Sequence, residues 1–287
     1  MDANNHIEHE NSRAVCAFLL PVYGGNDALL FRRALESIFA QSVNSNTISI
    51  YLGVDGPIDV GLESVIKEFS AKIHRVIRSA MCLGLDRNLN ALIASLEGEE
   101  FVFRMDADDV CLPNRVTLQL NYLKNHPEVG ILGGRIQEID FEGKSLGVRS
   151  FPKRAEVNDY IKFACPLAHP TVVFRRSVLN KLGGYPVSGL NEDLQMWFLA
   201  LEKGIQIDNL DDLVLLYQVD SGFYKRRSMP KAIGEAKAYI IGNYRLHGIT
   251  LSLLYPIFRL IFRLMPSPIV KFVYHILPIR SGFLNKS

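Results

Sequence analysis

The residues best suited to chemistry are the acids of Asp106-Ala107-Asp108-Asp109, which directly follow the apolar run FVFRM. Clustered carboxylates repel one another and stay ionised only in water or beside a cation. Oxygen donors of this kind suit Mg2+ or Mn2+, ions that commonly bridge to substrate phosphates. Asp106 or Asp108 could instead cap a following helix, but one cap needs one Asp. Asp55 ends the apolar run ISIYLGV before Gly56-Pro57, where it reads equally as a turn residue or a second functional acid. Glu192-Asp193 opens a helix over 192–203 whose apolar face is Leu194, Trp197, Phe198 and Leu201. The helix dipole favours acids in a first turn, and a general base held at a sheet edge would occupy the same place. Position alone does not separate those two readings.

His169-Pro170 has no His or Cys partner at ligand spacing, which argues against zinc and leaves a structural or substrate-facing histidine. Gly183-Gly184-Tyr185 marks a sharp turn. Lys225-Arg226-Arg227, beside Tyr224, is a basic cluster that could meet a pyrophosphate or form a solvated loop. No GxGxxG follows the first apolar run, and neither GxxxxGK[ST] nor GxSxG occurs. A dinucleotide fingerprint, a P-loop and a hydrolase elbow are thereby excluded.

Regular elements must carry these residues. AVCAFLL at 14–20, ended by Pro21, reads as a buried strand, and 28–41 repeats apolar residues at helical spacing. Strand 48–54, helix 62–72, strand 75–78, helix 86–96 and strand 101–105 follow. This alternation predicts an α/β fold, a mostly parallel sheet with helices on both faces. Ligands of such sheets sit outside the carboxyl ends of the strands, where Asp55 and the acid cluster would lie. After a helix at 115–124, segments 131–139 and 148–151 read as a hairpin around Glu142-Gly143-Lys144. Helix 155–163, strand 171–174, helix 192–203 and strand 213–217 continue without a linker, which predicts one domain through about residue 225.

The 287 residues are 22% charged and 48% hydrophobic, which excludes a disordered or collagen-like chain. Cys16, Cys82, Cys111 and Cys165 form no CxxC pair, which argues against a disulfide framework and for a reducing, cytosolic setting. The start, MDANNHIEHENSR, is polar and acidic, so no signal peptide is expected. Charge is uneven. Residues 1–220 hold 21 Lys+Arg against 29 Asp+Glu, a net of −8, whereas 221–287 hold 11 against Glu235 alone, a net of +10.

That basic tail is also apolar, pointing to an anionic membrane surface rather than nucleic acid. Leu251–Leu264 would make a helix of roughly 21 Å, short of the roughly 30 Å hydrocarbon core. Arg259 and Arg263 share one of its faces; Pro266 and Pro268 separate it from a second apolar stretch, 269–276. The expectation is an in-plane hairpin whose basic side chains meet headgroups, the alternative being a tail packed on the domain or on a second copy.

Five segments, taken in order, resemble the family 2 glycosyltransferases: LLPVYGGNDALLFRRALESIFAQS, ISIYLGVDGP, GLDRNLNALIASLEGEEFVFRMDADDVCLPNRVTLQ, HPTVVFRRSVLNKLGGYP and NEDLQMWFLAL. They span roughly residues 14–220. The resemblance implies a GT-A fold: a Rossmann-like, mostly parallel sheet with helices on both faces, here followed by the helical, membrane-associating tail. It divides the chain into a polar extension (1–13), a catalytic domain (14–225) and the tail (226–287). Within the domain, 14–112 would bind the nucleotide-sugar and 113–225 would face the acceptor.

The same resemblance assigns roles. Asp55 would bond the pyrimidine base, with Pro21 and Tyr23 packing on it; the family usually has Asn where Gly24 stands. Asp108, and Asp106 nearer the ribose, would hold Mg2+ or Mn2+, and Arg87 would join the donor contacts. Asp193 would be the general base, with Glu192, His169, Trp197 and Arg226 as acceptor or diphosphate contacts. The QxxRW motif of processive synthases is absent, implying one sugar per encounter. The implied reaction is inverting, metal-dependent transfer from a UDP- or dTDP-sugar. The implied acceptor is a polyprenyl-diphosphate-linked saccharide of O-antigen, capsule or exopolysaccharide synthesis, on the inner face of a bacterial cell membrane. Clustered acids would equally serve a metal-dependent nucleotidyltransferase or phosphohydrolase. A non-catalytic, membrane-docked nucleotide-binding protein would need no base at Asp193.

Overall fold

The computed structural model describes residues 15–43, 47–187, 191–219 and 229–264. The extension at 1–13, Tyr224 with the basic cluster containing Arg226, and the stretch 269–276 with its prolines lie outside the described residues.

Strand β1 (Cys16–Tyr23) is apolar at nearly every position because both of its faces are covered. Cys16, Phe18, Leu20 and Val22 enter one core, and Ala17 and Leu19 enter another. Asp27 accepts from the N–H groups of Leu29 and Leu30 and so starts helix α1 (Ala28–Phe39). Its Phe31, Ala34, Leu35 and Ile38 cover the first core, joined by Leu62, Val65 and Ile66 of α2 (Val60–Glu68). Helix α3 (Leu85–Ala94) covers the opposite face with Leu89 and Leu92. Strands β2 (Ile48–Asp55), β3 (Arg75–Ser79) and β4 (Phe101–Arg104) complete a parallel quartet in the order β3-β2-β1-β4.

Antiparallel pairs enter only beyond β4. Strand β5 (Val110–Cys111) pairs with β9 (Gln206–Gln218); β8 (Val173–Arg175) runs antiparallel to β4 and to β6 (Val129–Ile139). Strand β7 (Ser145–Arg149) folds back on β6, and β9 runs parallel to β6. The carboxyl ends of β1, β2, β4, β6 and β9 therefore share one edge of a nine-stranded sheet, counted among the described residues. Helices α4 (Arg115–Asn125), α5 (Arg154–Tyr160), α6 (Arg176–Leu182) and α7 (Glu192–Glu202) connect these strands.

Helix α6 and strand β9 are among the departures from the sequence reading. Helix α6 follows β8 directly and stops at Gly183, whose φ of 81° suits glycine. β9 begins seven residues before the expected 213, running through the buried polar Asp208 and Asn209, which find hydrogen-bond partners there. Tyr122 Oη donates to Asp208 over 2.7 Å, and Asn209 Nδ2 donates to the carbonyls of Pro152 and Pro166. A polar residue with buried partners breaks the apolar signal without breaking the strand.

Helix α8 (Met229–His247) packs on α7, with Gly242 against the Phe198 ring. A short 3-10 turn over Leu251–Leu254 precedes α9 (Tyr255–Leu264). Arg259, expected among headgroups, instead points inward: it pairs with Glu235 at 2.9 Å and lies over the Tyr239 ring. Ile257, Phe258 and Ile261 face outward. No helix among the described residues is long and apolar enough to cross a membrane.

Candidate active site

Register sets the site. Tyr23 lies opposite Asp55 and Leu19 opposite Arg104, so the segment after β4 emerges beside Pro21–Tyr23 and Asp55. Pro21 is buried in β1 and Tyr23 stands exposed at its end. A Cβ on Gly24 would come within 2.7 Å of the Pro57 carbonyl oxygen, so the chain has no room for a side chain there. Asn26 contributes instead, its Oδ1 accepting from the Tyr23 N–H at 2.9 Å. Asp55 is buried. Its Oδ1 accepts from Leu83 N at 2.7 Å and Ser79 Oγ at 3.2 Å, and its Oδ2 from Gly84 N at 2.9 Å. It thus anchors the turn that opens α3, on whose first turn Arg87 is exposed.

The acid cluster gathers as its spacing suggests. Asp106, Asp108 and Asp109 each bring a carboxylate oxygen within 4.8 Å of the others, the group among the described residues best able to hold a metal ion. None caps a helix, since α4 begins only after Asn114. Beneath them Arg104, 2% exposed, donates Nη1 to Asp106 Oδ2 at 2.7 Å and lies 2.5 Å from Oδ1 through Nη2. Burial pulls the guanidinium pKa down, but the Asp106 charge outweighs it and leaves the net shift upward. Asp109 is buried, with Oδ1 accepting from Gln218 N and Oδ2 without a partner. Its carboxyl is held well above the usual range by burial first, then by the charges of Asp106 and Asp108. Tyr217, at the end of β9, lies within electrostatic reach of all three acids.

A second acidic pair lies near the first. Asn191 adopts a left-handed φ of 56°, and α7 starts with the half-buried Glu192 and Asp193. Asp193 Oδ1 accepts from Leu194 N at 2.8 Å. Burial, and then Asp193, raise the Glu192 pKa. Tyr185 lies within electrostatic reach of both groups, through Arg104, Glu192, Asp193 and Asp106. Asn90 holds its backbone from both sides, Nδ2 donating to Tyr185 O and Oδ1 accepting from Tyr185 N. Gly184, at φ 87°, passes so close to Asn90 that no Cβ fits, which accounts for the Gly-Gly-Tyr turn.

Two expected acceptor contacts are corrected here. Trp197 is fully buried, stacked on Phe174 and edge-on to His169, so it is core rather than cleft surface. His169 is 8% exposed and bonded through Nε2 to the Tyr185 hydroxyl at 2.8 Å. Burial, with Arg104 nearby, drives its pKa well below the ordinary value and keeps the ring neutral. Sequence reasoning passed over Arg104, Asn90 and Tyr217. Arg104 had a signal: a lone arginine inside the otherwise apolar FVFRM, a type almost never buried without a partner.

A mixed α/β sheet, parallel through β3-β2-β1-β4, thus carries carboxylates at its strand ends, where open α/β sheets bind their ligands. The model described as "Glycosyl transferase family 2" matches residues 18–183. An uncharacterized glycosyltransferase of Haemophilus influenzae is 31% identical over 267 residues, covering 89% of this chain and 96% of that protein. The Escherichia coli UDP-Gal:alpha-D-GlcNAc-diphosphoundecaprenol beta-1,3-galactosyltransferase is 27% identical, covering 89% and 94%. Among solved structures, S. aureus TarS 1-349 with UDP-GlcNAc superposes at a TM-score of 0.65 with 16% identity, over 86% of this chain and 72% of that one. The Pyrobaculum calidifontis mannosyltransferase PcManGT, with GDP-Man and Mn2+, gives 0.60 with 15% identity, over 96% and 77%. The chain belongs to glycosyltransferase family 2 and is a glycosyltransferase enzyme with a GT-A-like fold.

Proposed function

We propose that this enzyme moves one sugar, with inversion, from a UDP- or dTDP-linked donor to a hydroxyl of a polyprenyl-diphosphate-linked saccharide in surface-polysaccharide synthesis. The observation that carries the reading is the convergence of two acidic groups on Tyr185: Asp106 of the strand-end cluster, and Glu192 and Asp193 at the start of α7. Pro21, Tyr23 and Asp55 line the donor end, with Arg87 beside them. Asp193 accepts the proton of the acceptor hydroxyl as it attacks the anomeric carbon, and Glu192 lies beside it.

The donor set fits Mg2+ or Mn2+, since it consists of hard carboxylate oxygens and includes a buried Asp109 oxygen without a partner. Asp108 and Asp106 would hold the ion. When bound, it offsets charge developing on the departing nucleoside diphosphate. The E. coli relative named above, whose name specifies a diphosphoundecaprenol-linked acceptor, supports a lipid-linked acceptor here.

Such an acceptor requires the enzyme to meet a membrane from its cytoplasmic side. The outward Phe258, 65% exposed, with Ile257, Ile261, Leu254 and Leu251, forms an apolar surface that supports peripheral docking of the tail.

Incubation with Mn2+, a panel of nucleotide-sugars and a polyprenyl-diphosphate-linked acceptor tests the reading. Release of nucleoside diphosphate from one sugar nucleotide, dependent on acceptor, is expected. Pyrophosphate released from a nucleoside triphosphate would overturn it in favour of nucleotidyl transfer.

A further inference from the structure

Arg104 is the last residue of β4, in a strand whose other residues are apolar and buried. Burying a guanidinium is costly, and a buried ion pair seldom adds stability over apolar residues of similar size. Its placement is nonetheless highly constrained. The Arg104 N–H donates to Val172 O at 2.9 Å, and its carbonyl accepts from Arg115 Nη2 at 2.9 Å. Arg115 is itself fully buried beside the stacked Phe18 and Phe103 rings, 5.7 and 5.6 Å from their centroids. Arg115 Nε also donates to Gln119 Oε1 at 3.0 Å, and Gln119 Nε2 donates to Thr171 O at 2.8 Å. This framework fixes where the Arg104 fork emerges.

The fork then meets both oxygens of Asp106, whose side chain remains 33% exposed at the cleft. A two-point contact sets the plane of the carboxylate as well as its position. Each oxygen keeps a lone pair free of the fork. Arg104 also offsets the negative charge of Asp106 within the cluster.

We infer that Arg104 is a positioning residue of the donor site, acting through Asp106 to present that carboxylate to the nucleotide and its metal in one orientation. The inference rests on the reading of Asp106 and Asp108 as donor-binding acids. Arg104 touches no reacting atom, so its loss weakens donor binding more than it slows the bound complex.

A double-mutant cycle decides the matter in the full-length protein. Calorimetric titration with UDP and with dTDP, each with Mn2+, is run on wild type, Arg104→Met, Asp106→Asn and the double variant, with folding checked by thermal melt. Each single change is expected to weaken binding about tenfold, and the pair by no more than about twofold beyond the worse single variant, since both remove the same contact. Arg104→Lys keeps the charge but loses the fork, so it should fall between wild type and Arg104→Met; it also serves if the methionine variant does not fold. Donor KM should rise in Arg104→Lys while kcat stays within about threefold. Losses that add to about a hundredfold would mark Arg104 as a separate structural element and overturn the inference. Wild-type binding of neither nucleotide would overturn the donor-site reading itself, and the inference with it.

Discussion

Gln218 donates its backbone N–H to Asp109 Oδ1 over 2.9 Å, joining residues 109 positions apart. The last residue of β9 thereby holds the loop that carries the acid cluster. β5 braces the same loop, its Val110 and Cys111 pairing with Leu216 and Leu215. The loop is fixed through Asp109 and β5, the residues that immediately follow Asp108.

Asp108→Ala should therefore keep the fold and lose metal-dependent donor affinity. Calorimetry with UDP or dTDP in the presence and absence of Mn2+ measures it. Affinity that still rises with Mn2+ as in wild type would remove Asp108 from the metal site.

Asp193→Asn keeps the size of a residue in the first turn of α7 while removing its basicity. Donor affinity should change little, and turnover should fall about 10²-fold or more, the scale of a lost general base. Near-normal turnover would leave Asp193 as a helix-terminal charge alone.

His169 introduces a pH dependence of stability. Burial holds its folded pKa well below the ordinary 6.5, so in acid the unfolded chain takes up a proton that the folded chain refuses. Its contribution is complete above about pH 6.5 and shrinks below it, by at most about 1.4 kcal/mol per pH unit. His169→Gln keeps a hydrogen-bonding partner for the Tyr185 hydroxyl but does not titrate. Melting curves between about pH 8 and pH 5 should show a shallower acid decline in the variant; identical slopes would rule His169 out as the source.

Gly242 tests the docking of α8. An alanine gains at most about 1 kcal/mol of helix propensity. Its methyl, however, would meet the Phe198 ring at 2.3 Å, and overpacking of this kind costs about 1–3 kcal/mol. Gly242→Ala should lower the melting temperature; an increase would mean that α8 and α7 separate freely.

The outward face of α9 is tested by Phe258→Asp with Ile261→Asp, which spares the Arg259–Glu235 pair. Co-sedimentation with anionic vesicles at low salt should drop several-fold relative to wild type, since both apolar anchors are lost. Equal sedimentation of both proteins would place membrane contact elsewhere.

Much of the sheet was legible in the chain itself. AVCAFLL, ISIYLGV and FVFRM announce buried strands because a strand covered on both faces is apolar throughout, a property carried by adjacent residues. Asp55 and the acid cluster sit where those runs stop, so the candidate donor edge follows from local order and parallel topology. What lay beyond reach depends on partners distant in sequence. β9 extends through Asp208 and Asn209, whose partners Tyr122, Pro152 and Pro166 come from elsewhere in the chain. Trp197 and His169 have the residue types of ligand contacts, yet Phe174 and Tyr185 enclose them.

In α9, helical spacing places Arg259 on one face, but only Glu235 and Tyr239 decide that Arg259 turns inward. The sequence by itself determined which elements form and where their acids end up along the chain, because propensity and periodicity are local. Tertiary structure alone decided which of those acids is clamped by Arg104, which is buried against Gln218, and which aromatic residues never reach the cleft. Burial and charge pairing are properties of neighbours in space, and a one-dimensional pattern does not contain them.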